Sequence, residues 1–441
     1  MQRDFSAQNR PRTGGPGFGC DERVGAVGTG CNVETWSYRR EHRIVRPESG
    51  RRGQPAIADI ACRGQSDARL LRAVQLDLSR RVDMRTLTRV ASTFLANVLL
   101  FGALAAGFRA PAFAQFTPVQ GATLRIIQAN GIKMRIAEAG KGPLVILLHG
   151  WPESWYSWRK QIPILEQAGY HVVAPDMRGY GKTDKPSAVE DYDIDHLVGD
   201  VVGIIDAMGE KTAIVIGHDW GAGVAWACAL RSPERFTAVI ALSVPNRIRP
   251  TEPPVETMKR TYGEKFFYQL YFQEPGAAEA EFDADPRGLL KRVYASPDTP
   301  REAPAITDPA RSAGGLIPRR GVPKALPPWL TQEDLDYYVN EFTEAGFRGG
   351  INYYRNFDRN WRTGERVAAM KVTQPALFIA GTEDSVISGA SAEQLQNMMK
   401  STTTELRGVI LYPGAGHWIQ QERSVEVNSA IVEFLGQLKK L

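Results

Sequence analysis

Six short runs of continuous apolar residues constrain this chain more than any other feature: Leu144–Leu148, Val172–Ala174, Ala213–Ile216, Ala238–Leu242, Ala376–Ala380 and Val409–Leu411. A strand that is apolar at every position has no face to offer water, so it must be covered on both sides. Helix-like stretches separate most of these runs, and that alternation predicts a mostly parallel sheet with helices on both faces. In such a sheet catalytic groups stand at the carboxyl ends of the strands. A β-hairpin is predicted ahead of the first run, because Leu124–Gln128 and Ile132–Ala139 flank Asn130-Gly131, a dipeptide that accepts the positive φ angles of a two-residue turn. Between Leu242 and Ala376 the strand rhythm stops, and Pro-rich stretches and helical patterns such as Glu333–Phe342 replace it. That interval reads as an inserted, mainly helical lid. Eight of the fourteen tyrosines fall between Tyr262 and Tyr354, so the lid is well supplied with phenol groups.

The first 83 residues follow different rules. They hold 15 arginines, no lysine and 10 acids, a surplus equal to the +5 charge of the whole chain, so the remainder is balanced. Without a clustered basic face, no nucleic-acid partner is expected. Residues 1–83 are read as a disordered or untranslated extension. At Met84 the text changes: Arg85 and Arg89 precede the apolar run Val90–Phe108, and Ala112-Phe113-Ala114 stands before Gln115. A basic start, an apolar middle and a small-x-small site predict that residues 84–114 form an export signal cleaved before Gln115, giving a periplasmic or secreted protein. An uncleaved segment would instead anchor the chain in a membrane. The expected organisation is therefore a first core part over 115–245, a helical cap over 246–365 and a second core part over 366–441. Three of the four cysteines lie in the first 83 residues, and no Cys-x-x-Cys or His-Glu-x-x-His spacing occurs, so neither a metal nor another cofactor is expected.

Chemistry enters where Ala213–Ile216 runs into Gly217-His218-Asp219-Trp220-Gly221, followed by a helical pattern to Arg231. Glycines on either side permit a sharp strand-to-helix turn that lifts the central side chain above the sheet. The central residue is Asp219, not serine. A carboxylate that attacks an sp³ carbon forms an alkyl ester that water can cleave, whereas serine would form an inert ether. Asp219 thus predicts displacement at carbon. Backbone N–H groups of Trp151, in the His149–Glu153 loop, and of Trp220 are the candidate oxyanion donors. His417, in the glycine-rich loop Gly414–Trp418, is the candidate base among six histidines; His149, His171, His196 and His218 read as structural. Asp384, with Glu383 as fallback, is the candidate acid that orients it. The chain order Asp219, Asp384, His417 is the α/β-hydrolase order.

His149–Glu153, Asp176-Met177-Arg178-Gly179-Tyr180-Gly181 and Gly217–Gly221 together resemble the soluble-type epoxide hydrolases. Two lid segments, Tyr268–Gly276 and Phe347–Asn356, resemble the cap segments that carry that family's ring-opening tyrosines; the match falls on Tyr268 and Tyr354. The likeness runs over roughly 118–440. Trp151 departs from the mammalian pattern, which has Phe, and the phosphatase domain that precedes the mammalian enzyme is absent. The resemblance implies an α/β-hydrolase fold with a cap, a small apolar epoxide and water as substrates, a vicinal diol as product and no cofactor. Trp329, Trp361 and the lid aromatics are expected to make the pocket apolar. A haloalkane dehalogenase using the same aspartate is the alternative, disfavoured because Trp151 stands where those enzymes often place Asn. A non-catalytic binding protein would have little reason to keep the whole set.

Overall fold

The computed structural model describes residues 119–438; the extension over 1–83 and the signal segment over 84–114 lie outside the described residues. Eight strands form one sheet in the order β1-β2-β4-β3-β5-β6-β7-β8. They are β1 (Thr123–Ala129), β2 (Ile132–Ala139), β3 (Leu144–Leu148), β4 (His171–Pro175), β5 (Ala213–His218), β6 (Phe236–Leu242), β7 (Ala376–Gly381) and β8 (Leu406–Tyr412). β2 pairs antiparallel with β1 and β4, and every other pairing is parallel. The hairpin turn is where the sequence puts it, with Asn130 at φ 48° and Gly131 at φ 77°. The sheet is that of an α/β-hydrolase fold.

Every residue of β3, β5 and β7 is buried, as continuous apolar runs require. β8 differs: it is an edge strand and all but one of its residues are half-buried. Its apolar run Val409–Leu411 is therefore only partly covered: the Ala392–Lys400 helix packs against it, and among the described strands it has a neighbour, β7, on one side alone. The helix Ile194–Ala207 shows how the layers close. It buries Ile194, Leu197, Val198, Val201, Ile204 and Ile205, the three-and-four spacing of one apolar stripe, and packs on β1.

The interval between β6 and β7 is mainly helical, as expected. Its longest helix, Gln332–Ala345, starts at a capping box in which the Thr331 side chain accepts from Asp334 N and the Asp334 side chain accepts from Thr331 N. A buried charge cluster ties this helix to the sheet: Arg135 of β2 donates to Asp176 at 2.5 Å and also pairs with Glu341.

Sheet register sets the site. Leu148, at the end of β3, pairs with Gly217 of β5, so the loops that carry Trp151 and Asp219 leave the sheet side by side. Gly381, at the end of β7, pairs with Tyr412 of β8, so the loops bearing Asp384 and His417 also emerge together. Four segments far apart in sequence meet at one edge of the sheet.

Candidate active site

Asp219 sits between β5 and the helix Trp220–Arg231 at φ 52° and ψ −118°, a region that costs a non-glycine residue about 1–3 kcal/mol. The turn is sterically closed to larger neighbours. A Cβ on Gly217 would stand 2.1 Å from Gly221 O, one on Gly221 2.0 Å from Leu148 O, and one on Gly150 2.4 Å from the Asp219 Cβ. These three glycines allow the strained carboxylate to lie directly against the β3 loop.

The three residues in hydrolase order are in contact. His417 Nε2 is 3.5 Å from Asp219 Oδ2, and His417 Nδ1 is 3.0 Å from Asp384 Oδ2. Asp384 is buried and also accepts from Val386 N at 2.9 Å, whereas Glu383, the fallback acid, is exposed at the rim of the cavity. Burial works against charge on Asp219, but hydrogen bonding and charge from His417, with the Trp151 N–H, outweigh it and hold the carboxyl below its ordinary range. For His417, burial would favour the neutral ring, yet Asp384 and Asp219 raise its pKa well above the usual imidazole value. Both shifts favour charge on the pair, Asp219 toward carboxylate and His417 toward imidazolium.

Of the two expected oxyanion donors, the Trp151 N–H donates to Asp219 Oδ1 at 2.9 Å. The Trp220 N–H is the first of its helix, hence without an intrahelical acceptor, and among the described residues it makes no bond to the Asp219 carboxylate. Tyr268 and Tyr354 line the same cavity of about 320 Å³ as Asp219, His417 and Trp151. Their rings lie 6.0 Å apart, and Tyr354 packs edge-on to Trp220 at 5.1 Å. Burial and then the Asp219 charge push the Tyr268 phenol up to about 12; the same causes raise Tyr354 well above 10. Both phenols stay protonated near neutrality beside an ionised carboxylate, an arrangement able to donate protons to oxygen while the carboxylate attacks carbon.

A buried network not foreseen from the sequence holds these parts. Glu153 accepts from Gly150 N at 3.0 Å and from Gln420 and Gln421 Nε2 at 2.9 and 3.1 Å, and its Oε2 is 2.8 Å from His218 Nδ1. His218 Nε2 lies 2.7 Å from His417 O, an acceptor that Ser243 Oγ also reaches at 2.8 Å. Glu422 accepts from Gly416 N and Trp418 N at 2.8 and 2.9 Å. The loop that presents His417 is thus fixed on both flanks, and Glu153 joins it to the loop of Trp151. Glu153 and His218 stand inside the motifs that mark the site, which was the available signal; the two glutamines lie in an unmarked helix. His149 is structural as read, with Nε2 accepting from Met177 N at 3.0 Å.

Two expectations about the pocket need correction. Trp329 is buried away from the cavity, donating to Ser296 Oγ at 2.9 Å and packing on Tyr294. Trp361 lies under the Arg249 guanidinium at 4.1 Å and lines a separate outer hollow. Nor is the cavity simply apolar: Arg301 and Arg320, from the segment between the helices Pro286–Val293 and Gln332–Ala345, and Glu383 and Glu422, from the loop after β7 and the helix Ile419–Glu422, are among its lining residues.

The sequence profile of the α/β hydrolase fold matches residues 143–424. Epoxide hydrolase A of Mycobacterium tuberculosis is 46% identical over 320 residues, covering 72% of this chain and 98% of that protein. The crystal structure of epoxide hydrolase A from Mycobacterium thermoresistibile superposes with a TM-score of 0.64 at 45% identity, over 71% of this chain and 98% of the other. The solved structure of an epoxide hydrolase from an endophytic Streptomyces gives 0.66 at 39% identity, over 73% and 97%. With near-complete coverage of relatives at such identities, the chain belongs to the epoxide hydrolase family of the α/β-hydrolase fold.

Proposed function

We propose that this protein hydrolyses epoxides to vicinal diols through an alkyl ester formed on Asp219. The observation that carries the reading is the convergence of an ionised Asp219, a His417–Asp384 pair and two protonated tyrosines on one cavity. Asp219 attacks a ring carbon, and the C–O bond breaks as Tyr268 and Tyr354 donate hydrogen bonds and one proton to the departing oxygen. Ester formation removes the Asp219 charge that helps raise the pKa of His417. The imidazolium proton thereby passes more readily to the tyrosinate left by ring opening, which restores the phenol, and the neutral ring then takes a proton from the water that attacks the ester carbonyl. Trp151 and Trp220 N–H groups stabilise the tetrahedral oxyanion; its collapse breaks the ester C–O bond, and the proton of the added hydroxyl passes to the departing alkoxide, which leaves as the diol and restores the carboxylate.

The names of the relatives support epoxides as the substrate class and do not favour the halide-releasing alternative. The test is product analysis of the purified protein on terminal and disubstituted epoxides, with halide release from haloalkanes run in parallel. Diol without halide is the expected result, and Asp219→Ala abolishes it. Halide without diol would refute the reading, as would turnover above a few per cent in the Asp219→Ala variant.

A further inference from the structure

The cavity contains two guanidinium groups that the ring-opening chemistry does not use. Arg301 and Arg320 line it together with Asp219, Tyr268 and His417. Both come from the cap segment between the helices Pro286–Val293 and Gln332–Ala345, and the backbone there is well held. Glu302 N donates to Val322 O and Lys324 N to Pro300 O, each at 2.9 Å, which sets the two arginine-bearing stretches side by side, and Arg292 Nε donates to Arg320 O at 3.1 Å. The Arg301 side chain donates to Ala295 O and Ser296 O at 3.0 and 3.1 Å, contacts that orient its charge without neutralising it. Among the described residues the Arg320 guanidinium has neither a hydrogen bond nor an ion pair.

Other arginines of the fold that are buried or half-buried are engaged: Arg292, Arg319 and Arg348 by backbone carbonyls, and four more by acids. Arg135, Arg159, Arg178 and Arg355 each meet a carboxylate at 2.9 Å or less. The carboxylates of the cavity are otherwise engaged or remote: Asp219 faces His417, both Glu422 oxygens are taken by backbone N–H groups, and Glu383 is exposed and forms no ion pair among the described residues. Burial, then the like charge of Arg301, makes the Arg320 proton easier to lose, and no carboxylate counters this. A charge partly withdrawn from water and left without a partner carries a cost. An anion brought by the substrate would offset that cost, and a guanidinium fork matches the two oxygens of a carboxylate.

We propose that Arg320, with Arg301 beside it, is a specificity-determining site for a carboxylate on the substrate, so that the preferred substrates are epoxides bearing an acid group. The assignment rests on the epoxide-hydrolysing reading above. Its test compares epoxy acids of several chain lengths with their methyl esters, in the purified full protein and in Arg320→Gln and Arg320→Lys variants whose folding is checked by thermal melting. The quantity read is the ratio of kcat/KM for acid over ester. The wild type is expected to favour the acid by about tenfold or more, a preference that shrinks as salt is added. Arg320→Gln should collapse the ratio by a similar factor, and Arg320→Lys should retain part of it. A wild-type ratio near one, or insensitive to salt, overturns the proposal even if Arg320→Gln does not fold. So does an Arg320→Gln variant that loses activity equally on acid and ester, which would mean that Arg320 acts through the neighbouring Tyr268 phenol. Hydrolysis of esters and neutral epoxides without acid preference would leave the underlying reading standing while this inference fails; no diol from any epoxide would sink both.

Discussion

Replacing Glu153 by glutamine tests whether the network beneath the site is what holds it. The Glu153 side chain is fully buried, and each carboxylate oxygen has two partners: Gly150 N and His218 Nδ1 at one, Gln420 and Gln421 Nε2 at the other. A glutamine in the same place keeps one oxygen. With its NH2 toward Gln420 and Gln421, two buried donors lose their acceptor; turned the other way, the Gly150 N–H loses its acceptor and His218 Nδ1 has to accept instead of donate. Each such loss costs about 1–3 kcal/mol, and breaking a buried network around a carboxylate costs about 3–5 kcal/mol in all. Urea unfolding of Glu153→Gln should therefore show a loss of about 3–5 kcal/mol at neutral pH. The pH dependence supplies an independent sign. Burial would raise the Glu153 pKa, but His218 and the Gly150 N–H outweigh it and hold the group below 4.5. A carboxyl lowered in the folded state contributes stability above its unfolded value and loses it as pH falls through the folded one. The gap between wild type and variant should accordingly be full above about pH 5 and narrow in acid. A loss under about 1 kcal/mol, or a gap that widens in acid, would refute the reasoning.

In His417→Gln the ester should form but not hydrolyse, so intact-mass spectrometry under saturating epoxide should find the protein plus one epoxide; an unmodified mass counts against the base assignment. Tyr268→Phe and Tyr354→Phe should each slow ester formation about a hundredfold in single-turnover experiments, with folding unchanged, because each removes only a hydroxyl. Asp384→Asn takes away the carboxylate that does most to raise the His417 pKa. The pH below which ester hydrolysis fails should therefore move downward, while the rate falls roughly a thousandfold as the ring loses its orienting partner; an unmoved acid limb would refute the electrostatic part. N-terminal sequencing of protein recovered from an exporting host should begin at Gln115, and a start upstream of Met84 would exclude the export reading.

What was legible in the sequence follows from the range of the forces involved. The strands were readable because full burial forces apolarity at every position, a local condition visible in Leu144–Leu148 and Ala376–Ala380 without knowledge of their neighbours. β8 shows the converse: its run is as apolar as the others, and only the strand order reveals that it lies at an edge and half in water. The elbow was readable because sterics dictate it, a side chain at Gly217 or Gly221 meeting backbone oxygen at about 2 Å. Asp384, His417 and the cap tyrosines came from motif and chain order, and register explains why they meet, since β3 beside β5 and β7 beside β8 deliver their loops to one edge. Long-range polar pairing leaves no such local trace. Gln420 reaches Glu153 across 267 residues, and nothing in a helix reading Ile-Gln-Gln-Glu marks those amides as partners of a buried carboxylate. The same holds for charge in the cavity. Trp329 and Trp361 carry the composition of a pocket lining, yet one packs behind the wall and the other outside it, while Arg301 and Arg320, which composition would assign to a surface, face the substrate's space. Aromatic content predicts that a region is packed; which side chains border the void depends on the path of the chain, where helices bring Tyr268 and Tyr354 to the cavity and an irregular stretch brings Arg301 and Arg320 beside them.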